Sequence, residues 1–348
     1  MKVKNNKLHV SIILLNWNGW EDAIECLESV YQIDYPNYDV IIVDNNSSDD
    51  SIEKLREYCE GKISIKSDFF DFDSNNKPIQ MLETNISDNM PQESESELFR
   101  NASYNQRLIL VKNDKNYGFA EGNNMGITYS LRHLHPDYIL LLNNDTIVKP
   151  DFLENLVKVA EKDEKIGIVG SKVLFYNKPD LIQTAGIKIN WYLGEFKMIG
   201  YKKLNSNEYD KLQSMDCVSG CSMLIKNDVF YKGIFFNKEY FLYYEDTDFC
   251  INTRNLGFEI IYSPDSMVFH KGSISTTKIS GIREYYSARN LFIIMKKYSD
   301  KKQFFSFLMY YFLFKFWLTG AIILFYHRES KAFIPFIKGV FEGLKISV

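Results

Sequence analysis

Cysteine and histidine are scarce in this chain, five of each among 348 residues. Cys217 and Cys221 lie close together, but no second Cys or His pair accompanies them, so the spacing of a structural zinc site is missing. Cys26, Cys59 and Cys250 stand apart, and an odd total favours reduced thiols in a cytosolic compartment over a disulfide framework. An excess of positive charge is also lacking. The formal net charge is −4, which argues against broad nucleic-acid binding. No G-x-G-x-x-G follows the first apolar run, which ranks a dinucleotide-dependent oxidoreductase low. No glycine-rich triphosphate loop opens the chain, which ranks a nucleotidyltransferase low. A secretory signal is not visible: after the basic MKVKNNKLHV, the apolar VSIILL is short and runs into Asn16, Trp17 and Asn18. It reads as a first buried strand, and the chemistry is expected to stay in the cytoplasm.

Hydrophobic residues make up 45% of the chain, enough for a sizeable core, and the length permits one large domain with additions or two modest ones. HVSIILLNW is apolar, β-branched and brief, a strand. From Trp20 to Gln32 the apolar residues Ala23, Ile24, Leu27, Val30 and Tyr31 keep helical spacing. YDVIIVDNN predicts a second strand ending at Asp44, followed by a helix capped by Ser47 or Ser48. LILVKND predicts a third strand, Asn123–His133 a helix after a glycine-bearing loop, and YILLLNND a fourth strand buried on both faces. A further helix is expected to start near Pro150. Strands alternating with helices imply a βαβ sheet with right-handed crossovers.

Two stretches break this rhythm. Residues 62–107, rich in Ser, Asn, Asp and Glu with QESESE near the middle, read as a surface insertion, with a partner- or acceptor-binding flap as the functional version. Beyond residue 303, FFSFLMYYFLFKFWLTGAIILFY is long enough to span a bilayer, but Lys315 near its centre costs about 2.5–3.5 kcal/mol on insertion scales. Its many aromatic rings favour the headgroup boundary, and Lys296, Lys297, Lys301 and Lys302 before it, with His327, Arg328 and Lys331 after it, suit anionic lipid. An in-plane membrane helix is the expectation. A single span and a helix buried in the protein are the other outcomes.

Four segments place a carboxylate or an imidazole at or just after an apolar run: IIVDNNSSDD at Asp44, LLLNNDT at Asp145, YYEDTDF at Asp246 and VFHKGS at His270. An open α/β sheet presents its ligand-binding loops there. A hard divalent cation bound with a diphosphate needs only one or two protein carboxylates, which Asp145 suits. Each segment alone is also an ordinary Asn/Asp turn, a helix start or a structural histidine.

Together, the segments VSIILLNWNGWEDAIECLESV, DVIIVDNNSSDDS, NYGFAEGNNMGI, YILLLNNDTIV, GIVGSKV, DCVSGCSMLI, YYEDTDFCINTRNLGFEIIYSPDSMVFHKGS and YYSARNLFIIMKKY resemble the inverting glycosyltransferases of family 2. They cover roughly residues 8–300 in the family's order, apart from the insertion. NWNG, NYGFAEGNN and EDTDFC are most similar to the rhamnosyltransferase-like branch that builds surface polysaccharides.

The resemblance implies a GT-A fold, a Rossmann-like mixed α/β sheet flanked by helices. A donor-binding half would occupy residues 1–145 and an acceptor half 146–300, with a hydrophobic, membrane-associating helical region over 301–348. It implies that Asp44 binds the base or ribose, with Asn16 and Asn46 in the same pocket, and that Gly118 and Gly122 allow close backbone approach to the nucleotide sugar. Asn123, Asn124 and Asn144 would supply amide contacts. Asp145 would close an Asp-x-Asp-type metal motif whose first position here is the neutral Asn143, and His270 would complete the shell of a Mg²⁺ or Mn²⁺ ion. Asp246 would be the base, its pKa raised by the like charges of Glu245 and Asp248. Glu245 would meet the acceptor, Arg289 and Asn290 in YYSARN would meet phosphate or acceptor groups, and Trp191 would either stack on an acceptor sugar or belong to the core. The implied activity is one-step, inverting transfer of a sugar from a nucleotide diphosphate donor to a polysaccharide or lipid-linked glycan at the inner face of the cell membrane. dTDP-L-rhamnose is the leading donor, and UDP-sugars stay open. The competing reading, prompted by Asn143, is a catalytically impaired nucleotide-sugar-binding scaffold.

Overall fold

A computed structural model describes residues 7–85, 99, 101–272, 280–326 and 329–347. The QESESE run and the pair His327 and Arg328 lie outside the described residues. Strand β1 (Val10–Asn16), helix α1 (Trp20–Val30), β2 (Tyr38–Asp44) and α2 (Ser51–Cys59) open the chain. Next come β3 (Gln80–Asn85), β4 (Arg107–Lys112), α3 (Gly118–His133), β5 (Tyr138–Asn143), the short β6 (Thr146–Val148) and α4 (Phe152–Ala160). The second half holds β7 (Ile166–Phe175), β8 (Lys178–Thr184), the hairpin β9 (Ile187–Asn190) and β10 (Glu195–Met198), β11 (Gln213–Ser214) and β12 (Ser222–Lys226). Helices α5 (Asn227–Tyr231) and α6 (Glu245–Asn255) precede β13 (Glu259–His270) and α7 (Ile282–Tyr298).

One mixed sheet runs through both halves in the order β11-β13-β7-β12-β5-β1-β2-β4-β3, with β6 on β13 and β8 on β7. The strands from β5 to β3 are parallel, so Asn143, Asn16, Asp44 and Lys112 all end on one edge. β1 leads to β2 on one side, while the crossover through α3 returns to β5 on the other. The order therefore reverses between β1 and β5, and a crevice opens outside their carboxyl ends. β1, β2 and β5 are buried on both faces, which is why they read as unbroken apolar runs.

Three local expectations need amending. The described part of 62–107 is more than a surface loop: β3 adds a parallel edge strand to β4 in register Gln80↔Arg107 to Asn85↔Lys112, and Phe69 packs on Phe269 with ring centres 4.4 Å apart. Helix α2 is not capped by Ser47 or Ser48. The Ser47 amide and hydroxyl donate to Asp44 at 3.0 and 2.6 Å, and Ser48 donates its amide to Asn18 Oδ1 at 2.7 Å. Helix α3 begins at Gly118, so GFAEGNN forms its first turns rather than a preceding loop.

The C-terminal region is a helix α8 (Lys301–Tyr326, with two π-helical turns) followed by α9 (Ser330–Lys345). α8 is long and apolar enough to cross a membrane, yet only 22% of its most apolar stretch is buried, which sets aside the helix buried in the protein. It packs lengthwise: Phe307, Tyr311, Gly320 and Ile323 face α7 and α9, while Phe314, Trp317, Leu318 and Phe325 stay exposed. Lys315 is turned to the protein side and donates to the Gly194 carbonyl at 3.0 Å.

Candidate active site

The carboxyl ends of β1, β2 and β5 assemble a hydrogen-bonded polar edge. Asn16 donates through Nδ2 to Asp44 Oδ1 (3.2 Å) and Ser47 Oγ (3.3 Å), while its Oδ1 accepts from Asn144 Nδ2 (3.0 Å). Asp44 is almost wholly buried, and Asn46 stands exposed on the rim in the left-handed region at φ 59°. Asn45, which no sequence signal singled out, is the hub behind this edge. It donates to Asn116 Oδ1 (3.0 Å) and the Gly118 carbonyl (3.1 Å) and accepts from Asn113 Nδ2 and the Tyr117 amide (both 3.1 Å). The polar runs after β2 and β4 were the available clue.

The glycines of α3 serve close packing against protein. A Cβ on Gly118, at φ 75°, would sit 2.5 Å from the Phe241 ring, and one on Gly122 would sit 2.7 Å from Leu15. Asn123 donates to the Phe119 carbonyl at 2.9 Å. Asn124 exchanges bonds with the backbone of Phe236, donating to its carbonyl (2.8 Å) and accepting from its amide (3.0 Å). These two amides are occupied in holding α3 and the 236 loop.

Just past β5, Asp145 Oδ1 lies 3.1 Å from His270 Nε2, at the end of β13, and Asn143 Nδ2 lies 3.4 Å from the same nitrogen. Gln183 on β8 places Oε1 2.7 Å from His270 Nδ1, so a proton on Nδ1 donates there, whether Nε2 carries its own proton toward Asp145 or, in the neutral ring, a lone pair. Burial alone would push the Asp145 carboxyl up, but the charge and hydrogen bond of His270 in its protonated form, a backbone amide and the Lys271 charge bring it below its ordinary value. In the neutral ring, the Nε2 lone pair and a carboxylate oxygen 3.1 Å away could serve as neighbouring donors of one small cation, whose ligand distances of about 2.1 Å set adjacent ligands roughly 3 Å apart. Among the described residues no group of three His, Cys, Asp or Glu side chains converges, so the remaining ligands would be oxygens from elsewhere.

Asp246 lies in the first turn of α6 and is held there by amides. Its carboxylate accepts from Gly220 N (3.1 Å) and Thr247 N (2.7 Å). Burial raises its pKa against those amides. Asp248 does not contribute the expected like charge, because its carboxylate is paired with Lys297 (2.7 Å) and the hydroxyls of Tyr298 (2.7 Å) and Tyr240 (2.9 Å). Glu245 is buried with Oε2 unpartnered, and burial first, then the Asp246 charge, pushes its pKa well up.

The approach to Asp246 is strained: Phe241, Tyr243 and Tyr244 have φ of 58°, 67° and 70°. Asn290 on α7 pins this segment, donating to the carbonyls of Tyr240 (2.9 Å), Leu242 and Tyr243 (both 2.8 Å). Its neighbour Arg289 donates to Asn290 Oδ1 and the Glu239 carbonyl (both 2.8 Å), and lines a cavity of about 400 Å³ with Phe241, Tyr285 and Tyr286. Trp191 is set among aromatic rings, with Phe196 edge-on at 6.2 Å and Tyr298 at 6.4 Å.

The polar edge and the carboxylate on α6 are joined by one dipeptide before β12. Gly220 gives its amide to Asp246, and Cys221 accepts the Asn143 amide at 3.0 Å. The segment DCVSGCSMLI thus bridges the cluster at Asp145 and the carboxylate at Asp246. The profile of the Glycosyl transferase family 2 domain matches residues 11–75 and 86–231. The chain belongs to this family. It is a glycosyltransferase with a GT-A fold, and Asp246 and His270 lie beyond the matched span.

A relative in Haloferax volcanii, the low-salt glycan biosynthesis hexosyltransferase Agl10, is 24% identical over 261 residues, 72% of this chain and 80% of the relative. The dTDP-rhamnosyl transferase RfbF of Shigella flexneri is 24% identical over 55% of this chain and 64% of its own length. The rhamnosyltransferase WbbL of Escherichia coli is 27% identical over 44% of this chain and 61% of its own length. Among solved structures, the mannosyltransferase PcManGT of Pyrobaculum calidifontis, in complex with GDP-Man and Mn²⁺, superposes with a TM-score of 0.55 at 14% identity, covering 98% of this chain and 88% of that one. GalNAc-T7 with UDP, GalNAc and Mn²⁺ gives a TM-score of 0.52 at 14% identity, covering 90% and 58%.

Proposed function

We propose that this glycosyltransferase moves a hexose, with L-rhamnose from dTDP-L-rhamnose as the first candidate, to a glycan or lipid-linked acceptor with inversion, in a metal-dependent reaction. What carries the reading is the Gly220–Cys221 bridge, which sets a carboxylate of raised pKa beside the Asp145–His270 pair. Asp44 and Asn16 receive the nucleoside, with Asn144 and Asn46 at the same edge. Asp145 and His270, with Asn143 as a neutral third donor and Gln183 fixing the imidazole, would hold the divalent cation; an imidazole donor suits Mn²⁺ better than Mg²⁺. Such a cation supplies positive charge against the leaving diphosphate.

Asp246 accepts the proton of the acceptor hydroxyl as that oxygen bonds to the anomeric carbon and the bond to the diphosphate oxygen breaks on the opposite face. The new bond lies opposite the old one, so the configuration inverts without a covalent sugar–enzyme intermediate. Glu245 and Arg289 flank the acceptor side. Trp191 belongs to the support beneath it, given its aromatic surroundings.

The enzyme works at the inner face of a membrane, with α8 lying in the interface. The lengthwise packing of α8 and its exposed aromatic face support an in-plane helix over a span. The test is donor hydrolysis by purified protein with Mn²⁺ or Mg²⁺ and a panel of nucleotide sugars. Metal-dependent release of nucleotide diphosphate from one donor, lost in D145A, is the expected result. No release together with no metal-dependent nucleotide binding would leave a scaffold instead.

A further inference from the structure

Where α7, α8 and α9 meet, they enclose a cavity of about 220 Å³ that opens beside the exposed face of α8. Its wall is apolar at Leu291, Ile322, Ile323 and Phe336, and carries two cations, Lys315 and Arg283. Tyr244 also lines it, two residues before the carboxylate of Asp246. The cavity therefore connects the apolar helix with the catalytic side of α6.

The two cations differ in how they are satisfied. Arg283 is paired with its neighbour Glu284, which also lines the cavity, at 3.1 Å. Lys315 has one hydrogen-bond partner among the described residues, the neutral Gly194 carbonyl at 3.0 Å. Glu195, the acid whose charge reaches Lys315, accepts the Tyr310 hydroxyl at 2.9 Å. Burial accordingly pulls the Lys315 pKa down. A largely buried ammonium group whose one direct partner is a neutral carbonyl is further stabilised by an anion that can reach it. The anion's carrier must also cover an apolar wall that continues onto Leu318 and Phe325, which are 63% and 79% exposed. A free inorganic ion meets the first need only.

We propose that this cavity receives the phosphate linkage of a membrane-lipid-linked acceptor, with Lys315 and Arg283 against the phosphate and the lipid chain leaving along Ile322 onto the outer face of α8. This rests on the glycosyltransferase reading above and narrows its acceptor to a lipid phosphate. With the phosphate at Lys315, the carried sugar extends past Tyr244 toward Asp246.

The test is calorimetric titration of the full chain, without nucleotide or metal, using three probes: dodecyl phosphate below its micellar concentration, dodecyltrimethylammonium as the same tail with the opposite charge, and inorganic phosphate. Saturable one-to-one binding of dodecyl phosphate is expected, weakened roughly tenfold or more by Lys315→Met and kept by Lys315→Arg. Arg283→Met, at a more exposed position, gives a smaller loss and serves if Lys315→Met does not fold. Equal binding of the two amphiphiles, or unchanged binding in both methionine variants, overturns the proposal. Inorganic phosphate binding as tightly as dodecyl phosphate makes this a free-anion site and also overturns it. Donor hydrolysis without dodecyl phosphate binding removes this proposal and leaves the enzyme reading. Dodecyl phosphate binding with neither donor hydrolysis nor metal-dependent nucleotide binding removes the enzyme reading, and with it the acceptor role proposed for this cavity.

Discussion

Asn290 donates its side-chain amide to the main-chain oxygen of Tyr243 at 2.8 Å, three residues before Asp246. With its bonds to Tyr240 and Leu242, this one amide holds a segment whose backbone would otherwise relax out of the left-handed region.

N290A is therefore expected to lower kcat about ten- to a hundredfold while donor KM stays near its original value, because the nucleotide edge lies on other strands. It also loses two N–H donors shared among three carbonyls and the Oδ1 that accepts from Arg289, worth about 1 kcal/mol for each of these three groups, so a thermal melt should show a stability loss of about 3 kcal/mol. Steady-state kinetics with varied donor separates the two effects.

D246N is expected to cut turnover by about a hundredfold or more, within the range of a general base. Burial raises the Asp246 pKa, so the carboxylate form appears only above that raised value. Activity should rise with pH through an acid limb set above the ordinary aspartate value of about 3.9. A kcat/KM profile in the native protein, compared with the flat residual activity of D246N, checks this.

In the proposed metal site, Gln183 would act only through His270, whose Nδ1 lies 2.7 Å from its Oε1. Q183A is expected to weaken Mn²⁺-dependent nucleotide binding about tenfold, and H270A by more, as for a partner that orients a ligand compared with the ligand itself. Titration of Mn²⁺ at fixed nucleotide, read by calorimetry, ranks the two variants.

Glu245 gives a stability test with a definite sign. Its folded pKa lies well above its unfolded value because of burial, so the group's favourable contribution is fully present below the unfolded pKa and is lost as pH rises through the folded one. E245Q removes that ionisation. It should melt higher than the native protein at alkaline pH, and the gap should close toward pH ~4, near the unfolded glutamate pKa.

Strands β1, β2 and β5 could be read from the sequence because burial on both faces leaves an unbroken apolar run. β3 could not: QMLETN is short and mixed, and its hold comes from the β4 ladder and from Glu83, which bonds Arg56 Nε at 2.6 Å and Lys112 at 3.1 Å. The start of α3 was placed too late because Gly118 and Gly122 read as loop, whereas helix and sheet approach so closely that a Cβ at Gly122 would meet Leu15 at 2.7 Å. At the site, the acidic and imidazole positions stood out at the ends of apolar runs. Gln183, a lone amide 87 residues from His270, carried no sequence signal; Asn290 stood out in YYSARN as a phosphate or acceptor contact, whereas its amide is spent on the carbonyls of Tyr240, Leu242 and Tyr243. The hydrophobic run also hid which way Lys315 faces. Only the turn at Gly194 shows that its ammonium points into the protein.

The Gly220–Cys221 link works as a fixed caliper. Consecutive residues hold the two jaws, one on the Asn143 amide and one on Asp246, and β12 behind them is locked between β5 and β7. In the proposed reaction, the gap between the departing group and the proton acceptor would thus be set by a single peptide unit in the middle of the sheet. A change in a loop or helix on the acceptor side would then alter which sugar or carrier is admitted without moving that span.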